Sequence, residues 1–166
     1  MIRHTWALPL FLAVCALPVF AGTPETFTSD KWGFSANFPY EVKESTSESG
    51  SVTLEAGNEA DTVAYMISIS TLSDEIIRTK EVSQMLEDGI RGAVENVKGQ
   101  LGSKVAIKIG PYQGREIVIN KDDYVAKCRM YIVEKRLNMV MVIASKKAVL
   151  PMSAEAFLDS FRLILQ

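Results

Sequence analysis

Residues 124–145 read YVAKCRMYIVEKRLNMVMVIAS, and they are the most informative part of the chain for its architecture. Tyr124 to Lys135 is long and rich in β-forming residues, and Leu137 to Ser145 is apolar on both alternating sets of positions. A strand that is apolar on both faces is covered on both sides. These segments therefore predict neighbouring strands inside a sheet, with one layer above the sheet and another below it.

Further strands are indicated by runs in which apolar residues alternate with polar ones, as in strands half-buried against a core. Turn signals such as Gly110-Pro111 separate several of these runs. Because the later runs are joined by only a few residues, we expect antiparallel neighbours. The runs are Trp32–Phe38, Val42–Thr46, Ser51–Ala56, Val63–Leu72, Lys104–Ile109 and Gly114–Asn120.

Two helices are predicted. Apolar residues recur at steps of three and four from Lys80 to Leu101, which is the stripe of an amphipathic helix. Thr79 is a suitable cap for its start. Gly89 and Gly92 inside this helix indicate either close packing on a sheet or a weak point, because each costs about 1 kcal/mol relative to alanine. A closing helix is expected after Pro151, with phenylalanine side chains facing inward.

The chain has 166 residues, of which 48% are hydrophobic and 23% charged, and its formal net charge is −2. This composition is typical of one globular domain and excludes intrinsic disorder. Basic residues are not in excess, so we expect no nucleic-acid partner. We expect a loose lead-in at residues 22–31 and a single α+β domain at residues 32–166. Its central antiparallel sheet is flanked by helices in an α-β-α sandwich.

The first residues are typical of an export signal. Residues 1–6 carry one fixed positive charge, at Arg3, and residues 7–20 carry none. The small residues Val19 and Ala21 precede a suitable cleavage position after Ala21. We therefore predict a signal peptide over residues 1–21 and a mature protein that is in the periplasm or secreted.

Two alternatives remain open for this segment. It is short for a membrane span, which needs about 20 apolar residues, but it could stay uncleaved as an anchor. Leu12-Ala13-Val14-Cys15 also resembles a lipid-attachment box, although Val14 is larger than the residue expected before such a cysteine. No later segment is apolar enough to span a membrane, so we expect the mature chain to be soluble and monomeric.

The predicted mature chain has no histidine and one cysteine. His4 and Cys15 lie in the signal, which leaves Cys128 as the single thiol. Catalytic Ser-His-Asp and Cys-His pairs are therefore excluded, and so are zinc sites built from histidine and cysteine. We expect no enzyme activity, no cofactor and no metal.

Cys128 alternates with the apolar residues Ala126 and Met130. This pattern predicts a buried, unreactive thiol, because a reactive thiolate needs exposure and a nearby cation. Lys127 and Arg129 are then expected on the opposite face of the same strand.

Arg115, Arg129 and Arg136 lie on the predicted strands near the end of the chain. If the hairpins bring them to one face, they form a basic patch that could hold an anion or a partner. The alternative is a set of cross-strand ion pairs, each contributing at most about 1 kcal/mol when exposed.

Several short motifs resemble those of the PsbP-like fold family. This family includes extrinsic proteins of photosystem II, a Ran-binding nuclear import factor and exported bacterial proteins without assigned function. The resemblance implies an α-β-α sandwich and a binding or assembly role, and it implies no catalytic residue. The motifs are Trp32-Gly-Phe-Ser-Ala-Asn-Phe-Pro39, Gly114-Arg-Glu-Ile117, Arg129-Met-Tyr-Ile-Val133, Arg136-Leu137 with Met141-Val142, and Phe157-Leu-Asp-Ser-Phe161.

The favoured hypothesis is an exported accessory or binding protein of the bacterial cell envelope, which is not an enzyme. Its partner would be an envelope protein or a small ligand, bound at the sheet edge and at Arg115, Arg129 and Arg136. A second hypothesis is a hydrolase or lyase that uses Glu116 or Glu134 as base. A third is an envelope protein tethered by a lipid on Cys15.

Overall fold

The computed structural model describes residues 25–58, 62–146 and 152–164. The predicted signal peptide, its cleavage position and Cys15 lie outside these residues. The described residues form ten strands and three helices. In chain order they are β1 Glu25–Ser29, β2 Phe34–Phe38, β3 Lys43–Thr46, β4 Val52–Asn58, β5 Val63–Thr71, α1 Asp74–Thr79, α2 Val82–Val97, β6 Gln100–Ile109, β7 Tyr112–Lys121, β8 Tyr124–Val133, β9 Arg136–Ser145, α3 Met152–Ser160 and β10 Arg162–Leu163.

Seven strands form the large sheet, in the order β3-β4-β5-β9-β8-β7-β6. All neighbouring strands are antiparallel. The middle strand is β9, which was predicted to be covered on both faces, and β8 lies beside it. Val140, Met141 and Val142 of β9 are buried in succession, so both faces of this strand are covered.

One face of the large sheet is covered by α2 and is called the α2 face. Met85, Leu86 and Ile90 of this helix pack among buried side chains of β7 and β8. The apolar stripe predicted from spacing is therefore the buried stripe of the observed helix. The sheet side chains in this core are Ile117, Ile119, Ala126, Cys128, Met130, Ile132 and Met141.

The opposite face, called the α3 face, is covered by α3 and by a small antiparallel sheet in the order β1-β2-β10. Phe34 and Phe38 of β2 pack against Phe161 and Phe157, with ring centroids 5.4 and 5.0 Å apart. Because a small sheet supplies part of this layer, the molecule contains more sheet than the α-β-α sandwich that was predicted.

The lead-in at residues 22–31 was predicted to be loose, and this prediction is wrong for its described part. Residues Glu25–Ser29 form β1, which pairs along its whole length with β2. Phe27 packs on the core of the α3 face, and its ring centroid is 6.0 Å from that of Phe34. One apolar residue in five gave too weak an alternation to indicate a strand.

The single helix predicted from Lys80 to Leu101 is also corrected. A short helix, α1, ends at Thr79, and Lys80 is extended, with φ −119° and ψ 141°. Thr79 does not cap α2, because its hydroxyl donates to the Glu75 carbonyl of α1. Lys98 then ends α2 in the left-handed conformation, with φ 55°, and the chain enters β6 two residues later.

None of the helices within the described residues is long and apolar enough to cross a membrane.

Candidate functional site

The three arginines predicted to form one basic patch lie in three different places. Arg115 points to the α2 face, where its Nε is 3.9 Å from Glu87 Oε1 of α2. Arg136 donates to the Trp32 carbonyl at 2.9 Å. Arg129 points to the α3 face. The patch prediction is therefore wrong, because the register pairs Arg129 with Glu116, and consecutive residues of a strand point to opposite faces.

Arg129 is the centre of a charged network between the large sheet and α3. Its Nε is 2.7 Å from Glu116 Oε2, and its NH1 is 2.6 Å from Asp159 Oδ1. Lys127 joins the same network through Glu116 at 3.2 Å and Glu155 at 2.6 Å. The alternative of cross-strand ion pairs is thus the correct one at Glu116 and Arg129.

The carboxylate of Glu116 does not have the character of a general base. Partial burial opposes its ionisation, but hydrogen bonds from Arg129 and Lys127 outweigh burial and hold its pKa below the ordinary value. A general base working near neutral pH needs the opposite shift. Glu134 lies in the β8–β9 turn, at φ +54°, with its side chain 67% exposed. It borders a hollow of about 190 Å³ that does not include Glu116.

Cys128 is buried in the core of the α2 face, as its alternation with apolar residues predicted. Burial raises the pKa of its thiol far above the ordinary range. Lys127 and Arg129 lie on the other face of β8, where they bind acidic residues of β7 and α3. The thiol therefore has neither the exposure nor the cation that reactivity requires.

The sheet edge was the other part of the predicted binding surface, and the large sheet has two edges, formed by β6 and by β3. Val105 is 55% exposed on β6, and Leu101 is 44% exposed. The register with β7 shifts between Leu101 and Ser103. Lys104 is held by Glu87 of α2, with Nζ 2.9 Å from Oε2. A register shift and a charged side chain both discourage pairing with a further strand.

A groove runs along α2 on the α2 face. The helix packs on β7 and β8, and beyond it the side chains of β5 on this face are only half-buried. Two hollows, of about 420 and 490 Å³, make up this groove. They are continuous because Ala93, Asn96 and Met139 line both of them. We call the whole depression the α2 groove.

The two ends of the α2 groove differ in chemistry. The methionine end is lined mainly by apolar side chains, with Tyr124 and Lys121 at its mouth. The serine end also has apolar lining, from Leu72, Ile76, Met85 and Leu137, but it adds hydroxyl groups from β5 and from the residue before β4, and the ion pair of Lys80 and Asp88. The apolar side chains of the methionine end are Met66, Ala93, Val97, Met139, Met141 and Ile143. The hydroxyl groups of the serine end belong to Ser51, Ser68 and Ser70.

A cluster of three lysines adjoins the methionine end. Lys98, Lys121 and Lys146 line a hollow of about 350 Å³ together with Asp122. Lys121 also lines the methionine end, so the two hollows meet at its side chain. None of the three ammonium groups forms an ion pair with any residue for which the structure gives a position. We call these three residues the lysine cluster.

The sequence contained partial signals for the groove. On its second face β5 carries Ala64, Met66, Ser68 and Ser70, which is less apolar than a fully covered strand. Gly92 of α2 lies in the groove wall, and apart from the neighbouring residues and backbone of its own helix no atom lies within 4 Å of the position that a Cβ would take there. These signals could not be combined into a predicted groove, because the sequence does not show where α2 crosses the sheet.

No protein-family model matches the chain, and no curated protein sequence matches it. Among solved structures, the solution structure of cyanobacterial PsbP (CyanoP) from Synechocystis sp. PCC 6803 is similar, with a TM-score of 0.61 and 11% identity. The match covers 92% of this chain and 98% of that one. A crystal structure from Bacteroides thetaiotaomicron matches with a TM-score of 0.50 and 16% identity, over 86% of this chain and 49% of that one.

These similarities show a PsbP-like fold, which confirms the resemblance seen in the sequence motifs. At 11 and 16% identity the comparison concerns the arrangement of the chain and not its activity.

Proposed function

We propose that this chain is an exported accessory protein of the bacterial cell envelope, which binds a ligand or partner in the α2 groove without catalysing a reaction. The observation that carries this proposal is that α2 covers β7 and β8 but leaves β5 and part of β9 open beside it. The edge strand and the three arginines of the original hypothesis are replaced by this groove.

The size and lining of the groove support a binding role. Each of its two hollows has a volume in the range of small-molecule sites, about 300–1,000 Å³. Its floor is preformed, because β5 and β9 pair without interruption from Val63 with Ala144 to Thr71 with Arg136. A ligand would therefore bind without ordering the floor first. Methionine side chains adapt to ligands of varied shape.

Export is supported by the leader pattern of residues 1–21. The intact mass of the protein from the envelope fraction tests this part of the proposal. We expect a chain that begins at Gly22. An acylated chain that begins at Cys15 would replace this proposal with the lipid-tethered alternative.

The groove itself is tested by a photo-crosslinking amino acid placed at Asn96, which lines both hollows. Position 95 is the matched control, because Glu95 is also exposed on α2 but lines neither hollow. We expect a defined adduct in envelope fractions from position 96 and none from position 95.

Blocking variants complete this test. Asn96→Phe should abolish an adduct formed from a crosslinker at Gly92 in the same groove, while Glu95→Phe should leave it intact. If Asn96→Phe leaves it unchanged, the α2 groove is not the binding site.

A further inference from the structure

We propose that the α2 groove binds a single-chain anionic amphiphile, with its phosphate or carboxylate head group at the lysine cluster and its hydrocarbon tail at the methionine end. This inference rests on the proposed function, since it names the ligand class of the same groove. A fatty acid and a lysophospholipid with a net negative head group share this chemistry.

The charge of the lysine cluster points to an anion. Of the other described lysines, Lys80, Lys104, Lys127 and Lys135 have a carboxylate partner within ion-pair distance, whereas Lys31, Lys43 and Lys108 have none among the described residues. The lysine cluster brings three ammonium groups to one hollow, with Asp122 as the single acid lining it. Because the net charge of the chain is −2, this local excess of positive charge is not a property of the surface as a whole.

Helix capping explains only one member of the cluster. Lys98 ends α2, where a cation is favoured by the helix dipole. Lys121 ends β7, and Lys146 follows β9, where its backbone N–H donates to the Asp123 carbonyl at 2.6 Å. Neither lies at the end of a helix. Lys121 at the end of β7 and Lys146 after β9 thus add two lysine side chains beside Lys98.

The apolar half of the ligand follows from the position of Lys121. This residue lines both the lysine hollow and the methionine end, so a head group bound by the cluster leaves its tail at the mouth of an apolar hollow. Tyr124, the cross-strand partner of Lys121, is 49% exposed at this mouth. An aromatic ring beside a cation is suited to the junction between head group and tail.

The serine end adds polar groups along the path of a longer tail. Ser68 and Ser70 present hydroxyl groups where a longer tail would continue along the groove. Each methylene buried at the methionine end should tighten binding by about three- to fourfold. This gain should become smaller where the tail passes the serines, because a methylene gains less beside hydroxyl groups than beside the apolar side chains, such as Leu137 and Met139, that also line this end.

The test is calorimetric titration of the purified exported protein with four dodecyl amphiphiles, each kept below its micelle-forming concentration. The probes are dodecanoate, dodecyl phosphate, dodecyltrimethylammonium and dodecyl maltoside. We expect both anions to bind and the cationic and neutral probes to bind at least about tenfold more weakly. The stronger of the two anions identifies carboxylate or phosphate as the preferred head group. Inorganic phosphate alone should compete only weakly.

Two sets of variants separate the head-group claim from the groove. Removing one exposed lysine charge should weaken anion binding by about two- to fivefold at low salt. The triple variant Lys98→Gln, Lys121→Gln, Lys146→Gln should therefore weaken it by about tenfold or more. Lys108→Gln, at an exposed lysine of β6 outside the cluster, should have no effect. Asn96→Phe should reduce binding of every dodecyl probe.

Equal binding of all four probes, or an unchanged affinity in the triple lysine variant, would overturn the anionic amphiphile. The groove proposal would still stand if Asn96→Phe blocked the crosslinked adduct. If Asn96→Phe left both the adduct and the titrations unchanged, the groove proposal would fail as well.

Discussion

Glu116 of β7 and Arg129 of β8 are direct cross-strand partners, and Arg129 Nε lies 2.7 Å from Glu116 Oε2. The same guanidinium reaches Asp159 of α3 at 2.6 Å through NH1. One side chain therefore ties two strands of the large sheet to the helix that covers them. Because the side chain of Arg129 is only 18% exposed, this network is better shielded from water than an ordinary surface ion pair.

Replacing Arg129, the central cation of this network, should lower the stability of the fold. Arg129→Met leaves Glu116 and Asp159 without their shared partner, so we expect the free energy of unfolding to fall by about 1–3 kcal/mol. Arg91→Met is the matched control, because Arg91 is 65% exposed and Asp88 is its one ion-pair partner among the described residues, and it should cost less than about 1 kcal/mol. Urea unfolding of both variants measures the difference. Equal losses would show that the network adds no special stability.

Acid stability should depend on Glu116. Its pKa is below 4.5 in the folded protein and near this ordinary value in the unfolded chain, so the unfolded chain binds more protons between the two values. The stabilisation is complete above the unfolded pKa and is lost as the pH falls through the folded pKa. We expect Glu116→Gln to lose less stability than the parent between about pH 5 and pH 3.

The control for this pH experiment is Glu134→Gln, because Glu134 is largely exposed in a turn. Its unfolding free energy should follow the parent protein at every pH. If the unfolding free energies of the parent and of Glu116→Gln fall in parallel as the pH is lowered, Glu116 is not a source of acid sensitivity.

Two glycines around α2 should respond to alanine in opposite directions. A Cβ at Gly92 would meet nothing within 4 Å, so Gly92→Ala should raise the unfolding free energy by up to about 1 kcal/mol. A Cβ at Gly99 would lie 2.6 Å from Ile119 Cγ2 and 2.8 Å from the Asn120 carbonyl oxygen. Gly99→Ala should therefore destabilise by about 1–3 kcal/mol, as overpacking does. Thermal or urea unfolding measures both changes, and a stabilised Gly99→Ala would contradict this packing.

Cys128 should be unreactive in the folded protein. It is fully buried and its pKa is raised, so an aromatic disulfide reagent should label it only when the protein opens. We expect slow labelling in buffer and complete labelling in denaturant. Fast labelling of the native protein at neutral pH would show that the α2 face opens readily.

The strands of the large sheet were predictable because their patterns are local. Alternation placed Cys128 and Lys127 on opposite faces of β8, and apolar residues on both faces of β9 indicated that both of its faces are covered. The two-residue strand β10 was not predictable, because Arg162 and Leu163 are too few to show a period. The short helix α1 was also not predicted, because Ile76 and Ile77 are its only apolar residues and show no period.

The candidate site was less predictable than the fold. The arginine patch required the register between β7 and β8, and a shift of one residue moves every side chain to the other face. The α2 groove required the position of α2 across the sheet. The lysine cluster joins residues 98, 121 and 146, which are far apart in the sequence and meet only in the folded chain.

The small sheet on the α3 face places β2 between β1 and β10, and Ile164 donates to the Gly33 carbonyl at 2.9 Å. The first and last described strands, β1 and β10, thus both pair with β2. During synthesis this layer stays unfinished until residue 164 has left the ribosome, however early the strands before it emerge. Premature termination before β10 would leave the aromatic rings of β2 without part of their cover, and such a product is expected to be an early target of proteases.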